Sequence, residues 1–160
     1  MKAMTFKMVG TLHVITVGGK DPTQEDWVTY MQAVISEEKR RGVNVTEMRT
    51  LVFSDGGGPN AAQRKMANDV LKGRPTPIAV VTNNFVMRGV ITALQWFNPQ
   101  CRAFMPNAAG EALKFLGIPQ GKYEMIVNIA RELQKDLKVP KLSSLDSARL
   151  STCSHSSAML

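Results

Sequence analysis

"RTLVFSDGGGPNAAQRKMANDVLK", residues 49–72, sets a short continuous apolar run against a stretch of helical character, with three consecutive glycines between them. The run Arg49 to Ser54 reads as a buried strand, because it is short, continuous and ends in a polar, glycine-rich turn. The segment from roughly Asn60 to Lys72 reads as a helix. The glycines at the junction admit two readings. A glycine-rich loop opening a helix can cradle a phosphate, by exposing N–H groups beside the positive end of the helix dipole. It can equally be a turn and nothing more.

Working outward, the same unit recurs. "TPIAVVT" (76–82) is a second continuous apolar strand. "NNFVMRGVITALQWF" (83–97) is a second helix, with Met87, Val90, Ile91, Leu94 and Phe97 on one face and Asn83 or Asn84 as its cap. "CRAFMP" (101–106) and "NAAGEALKFLG" (107–117) supply a last strand and a short helix capped by Asn107 and stopped by Gly117. Toward the N-terminus, Met4 to Val9 and Leu12 to Val17 flank Gly10 and Thr11, a hairpin signal. Asp21 then serves as an N-cap, with Pro22 in the first helical position and Gln24 completing a capping-box-like pattern. In that first helix Trp27, Tyr30, Met31, Val34 and Ile35 form the face that covers a sheet, and Gly42 stops it. Alternation of strand and helix after a hairpin predicts an α/β fold with parallel strand pairs.

At 160 residues the chain has the length of one domain and can bury a core without disulfides or metals. Its two cysteines, Cys101 and Cys153, and its two histidines, His13 and His155, form no metal-ligand spacing. No signal-peptide pattern or membrane span is evident, so a cytoplasmic setting is expected. The net charge of +7 raises the question of nucleic acid. Yet the densest basic run, Lys39 to Arg41, suits a helix C-terminus, and no basic stretch is interleaved with aromatics. No specific nucleic-acid partner is expected.

The C-terminal third reads differently. Tyr123, Ile126, Ile129, Ala130, Leu133 and Leu137 mark an amphipathic helix over about 121–138, which packs back on the sheet or meets a partner. Residues 142–160 are rich in serine and without periodicity, so a flexible tail is expected, with Cys153 and His155 incidental to function. The resulting division is a domain over 1–118, a helical extension over 119–141 and a tail over 142–160.

Reactive constellations are absent from the pattern. Neither histidine lies near a G-x-S-x-G motif, and the glycine loop matches neither G-x-x-x-x-G-K-[ST] nor G-x-G-x-x-G. Asp55 ends a strand where α/β folds place ligands, and could hold a cation or move a proton. Alternatively Ser54 and Asp55 satisfy turn N–H groups. No catalytic residue, cofactor or metal is expected.

The element order resembles the STAS fold, and residues 77–117 look like the SpoIIAA-like branch of the STAS and SEC14-like superfamily. The matching features are the strand Ala79 to Thr82, Arg88 and Gly89 near the start of the next helix, Arg102 and Phe104 in the last strand, and Glu111 to Leu116. The resemblance covers about residues 4–117. It implies a mixed sheet with helices packed on it and a non-enzymatic module that binds another protein in bacterial signalling, as anti-sigma-factor antagonists do. In that family a serine or threonine near the start of the second main helix is phosphorylated. Here Ser54 is the candidate, displaced to the strand end, while the helix start holds Pro59 and Asn60. The recognition edge implied comprises Ser54, Asp55, Gly56, Gly57, Gly58, Asn60 and Arg64, with Asn83, Asn84 and Arg88 from the next junction. The lipid-carrying relatives imply an alternative, an apolar ligand or another small ligand such as a nucleotide or anion. The ten methionines suit an adaptable pocket lining as well as a plain core.

Overall fold

A computed structural model describes residues 2–42, 44, 47–95, 98–137 and 142–151. The hairpin forms as the sequence predicts: β1 (Met4–Val9) pairs antiparallel with β2 (Leu12–Val17). Then follow α1 (Gln24–Arg41), β3 (Arg49–Ser54), α2 (Ala61–Val70), β4 (Ile78–Val81), α3 (Phe85–Leu94) and β5 (Cys101–Phe104). Strands β2 to β5 are mutually parallel, and the sheet order is β1-β2-β3-β4-β5. Each strand therefore lies beside the one before it in sequence, with a helix making every parallel connection. This is the mixed sheet that the STAS-like reading requires.

The period-2 alternation of strand side chains assigns each residue to one face. Leu12, Val14, Leu51, Phe53, Ala79 and Val81 point to one side, where they meet the C-terminal helices α4 (Ala109–Phe115), α5 (Tyr123–Gln134) and α6 (Ser143–Asp146). Ile15, Val17, Val52, Val80 and Cys101 point to the other, under α1, α2 and α3. The molecule is thus three layers, with the sheet in the middle.

Local chemistry differs from the sequence reading at three points. Thr23, not Asp21, is the N-cap of α1, accepting the Asp26 N–H at 3.1 Å. Asp21 instead accepts the Gly58 N–H at 3.1 Å and so ties the glycine loop to the turn before α1. Asn107 caps nothing; it lies inside a single 3₁₀ turn, Pro106–Ala108, that leads into α4.

The C-terminal helix is no appendage. Ile126, Val127 and Ala130 of α5 are buried in the same core as Leu12 and Leu51. Residues 142–149, expected to belong to a flexible tail, are packed against the rest of the fold. Leu142 and Leu145 are fully buried in that core, and backbone bonds join Arg149 to Pro106 and Gly110. Serine richness masked this, because the buried apolar residues at 142, 145 and 148 hold the segment down at helical spacing. The expectations for Phe97, Cys153, His155 and residues 152–160 lie outside the described residues.

Candidate functional site

The glycine loop is closed on itself. The buried Ser54 hydroxyl donates to the Gly57 carbonyl at 2.7 Å and accepts the Gly56 N–H at 3.0 Å. The Asp55 N–H bonds to Val17 O, the Gly57 N–H to Gly18 O, the Gly58 N–H to Asp21 and the Asn60 N–H to Gln63 Oε1. From Asp55 to Asn60, every N–H has a partner inside the chain, so no open cradle for an anion is formed. The glycines answer to space and dihedral instead. Gly56 has φ +129°, and a Cβ on Gly57 would overlap the Lys20 carbonyl oxygen.

The other candidate residues divide between two tasks. Asp55 accepts the Ser143 and Ser144 N–H groups at 2.9 and 3.0 Å, so it caps α6 from across the chain. Asn83 donates to the Ser143 hydroxyl at 2.6 Å. Asp55 and Asn83 thereby pin the C-terminal segment over the ends of β3 and β4. Asn60 and Asn84 cap α2 and α3 through bonds to Gln63 N and Met87 N. Arg64 donates to Pro59 O at 2.7 Å, and the Arg88 guanidinium lies 5.7 Å from the Phe85 ring centre.

What the sequence did not reveal is a cavity of about 770 Å³ between the sheet and α1, α2 and α3. Its origin is local. The only buried side chain of α2 is Gln63, which donates to Pro22 O at 3.0 Å, while Trp27 Nε1 donates to Gln63 O at 3.0 Å. These bonds fasten the start of α2 to α1. Beyond Gln63, its inward residues are small or half-buried, Ala67 and Leu71 among them, and they do not fill the space down to Val52 and Val80. Likewise α3 buries only Ile91, and Val90 on the cavity side is 46% exposed. The opening lies between α2 and α3, where the lining residues are exposed.

The walls are apolar, from Met4, Ile15 and Val52 to Trp27, Met31 and Met87. At the floor a polar cluster interrupts them, and the exposed Asp21, Asn60, Arg64, Asn68 and Arg74 also stand on the lining. His13 Nδ1 lies 2.8 Å from the Tyr30 hydroxyl, beside the Thr50 side chain. Burial pushes the His13 imidazole down to about 4, the Tyr30 phenol well above its usual range and the Cys101 thiol up to about 11. Each group is therefore neutral near pH 7, and the lining carries hydrogen-bonding capacity without charge at its floor. Among the described residues no group of three or more His, Cys, Asp and Glu could hold a metal ion. No helix of the described residues is long and apolar enough to cross a membrane.

No protein-family model matches the sequence, and no curated protein matches it. Among solved structures the chain is similar to an uncharacterized protein from the DUF3478 family with a SpoIIAA-like fold, from Shewanella loihica PV-4. The two are 17% identical over 72% of this chain and 95% of that one, with a TM-score of 0.49.

Proposed function

We propose that the chain is a non-enzymatic α/β module that binds an apolar small molecule in the cavity beneath α2 and α3. The observation that carries this reading is the cavity itself. At about 770 Å³ it falls within the size range of small-molecule sites, and it is walled mostly by apolar side chains, with an uncharged polar cluster at its floor. A ligand that fits is mostly hydrocarbon, with a hydroxyl, carbonyl or protonated acid group to meet Tyr30, His13 or Thr50. The glycine loop forms part of the cavity lining, with its N–H groups already bonded within the chain, so it offers shape rather than amide donors to the ligand. Binding in this setting suits a carrier or a sensor in a cytoplasmic signalling role.

A protein-interaction module is the second reading, favoured by one observation. Phe85 and Val86 on α3 are 80% and 72% exposed. The edge that the family resemblance implies is less available, since Ser54 is buried and Asp55 is taken up by α6.

The test is a titration of the full chain with anilinonaphthalene sulfonate, displaced by dodecanoic acid, alongside native mass spectrometry of the protein as purified. Val52→Trp, which places an indole in the cavity, should weaken probe binding about tenfold or more while the chain stays folded. Equal binding by both proteins would overturn the cavity as the site.

A further inference from the structure

Phe85, Val86 and Val90 of α3 leave 80%, 72% and 46% of their surfaces exposed, on sides of the helix turned away from its buried Ile91. Val86 and Val90 also line the cavity, so the exposed apolar patch is continuous with the cavity wall. Three such residues together are more than the scattered apolar exposure of an ordinary surface.

The charge around the patch is mostly positive. Residues 56–95 hold five basic side chains, Arg64, Lys65, Lys72, Arg74 and Arg88, and a single acid, Asp69. That acid is taken up by Lys65 at 3.2 Å. Arg64 and Arg74 stand on the cavity lining, where Asp21 is the one acid, and Arg88 flanks Phe85.

Resting on the cavity reading above, we infer that the α2–α3 face docks on an anionic lipid surface, and that the cavity exchanges its apolar ligand there. Phe85 and Val86 enter the interface between headgroups and acyl chains, while Arg64, Arg74 and Arg88 face the phosphates. An apolar ligand then passes between bilayer and cavity without crossing water. The mostly basic rim around Phe85 and Val86 selects this occupant over a protein partner, whose surface would present mixed charge to the arginines.

The experiment uses the full chain, vesicles of phosphatidylcholine alone or with one third phosphatidylglycerol, and anilinonaphthalene sulfonate as a soluble cavity probe. Co-sedimentation with the anionic vesicles is expected to exceed that with neutral ones about tenfold, and to fall as salt rises from about 0.1 M to about 1 M. The variant Phe85→Ser should lose vesicle binding about tenfold or more, yet keep probe binding, since Phe85 is not part of the cavity lining. Probe binding without vesicle binding overturns the docking inference and leaves the cavity reading standing. Vesicle binding without probe binding overturns the cavity reading, and with it the proposed exchange. A wild-type dimer that the Phe85→Ser variant dissolves, seen by sedimentation velocity, overturns the inference in favour of a second copy of the chain.

Discussion

Nδ1 of His13 on β2 and the hydroxyl of Tyr30 on α1 are 2.8 Å apart, which joins sheet and helix by a polar bond inside an otherwise apolar layer. Burial holds the imidazole neutral, with its pKa down to about 4 from an ordinary 6.5. The unfolded chain therefore takes up the proton first. Stability from this group is complete above about pH 6.5 and is lost as pH falls from there toward 4, by about 3 kcal/mol in all. Urea unfolding between about pH 7 and pH 4.5 should show this loss, and His13→Asn should flatten that part of the profile. Parallel profiles for the two proteins would contradict it.

Two glycines make opposite predictions. A Cβ at position 57 would overlap Lys20 O and lie 2.8 Å from Gly18 O, both backbone atoms that cannot step aside. Gly57→Ala should cost about 2 kcal/mol or more. Gly89, in the exposed interior of α3, has open space around it, so Gly89→Ala should raise stability by about 1 kcal/mol. Thermal melts of the two variants check the contrast.

Asp55 and Leu145 hold the same segment by different means. Leu145→Ala empties a fully buried position and should cost about 2–4 kcal/mol of global stability. Asp55→Ala removes the acceptor for two backbone N–H groups of α6, with a smaller expected loss of about 1–2 kcal/mol. Its clearer signature is local: faster tryptic cleavage after Arg149, with the β-sheet amides still protected from hydrogen exchange.

Cys101 reports on the cavity it lines. With its thiol pushed up to about 11 by burial, alkylation in a Cys153→Ser background should run about a hundredfold slower than for an exposed thiol at pH 8. Saturating dodecanoic acid should slow it further. Unchanged labelling with the acid present would place that ligand elsewhere.

The sheet was legible because its strands are punctuated so sharply. Gly10 and Thr11 set the hairpin, and the apolar runs at 49–54 and 76–82 end in polar turns, so the strands and their order follow from composition and period, while the strands expected over 76–82 and 101–106 are shorter, Ile78–Val81 and Cys101–Phe104. The site was not legible, since a cavity is defined by what side chains fail to fill. A reader of α2 sees Ala61, Ala62, Ala67 and Asn68 as ordinary helix residues. Only the tether at Gln63 and Trp27 sets how far their short side chains stand from Val52 and Val80. One trace existed in α3: Phe85 and Val86 fall out of phase with Met87, Ile91 and Leu94, and apolar residues on both sides of a short helix call for two partners. The capping role of Asp55 was invisible for another reason. Its partners are 88 and 89 residues away, beyond any local pattern.

The two layers beside the sheet are built to different standards of closure. The C-terminal layer is packed dry around Leu113, Val127 and Leu142, whereas the opposite layer is hollow. Stability and specificity are therefore housed in separate parts of the chain. Substitutions at Val52, Ala67, Met87 or Val90 can reshape the chamber while the foundation stays intact, so its form is free to diverge among such proteins without their having to learn to fold again.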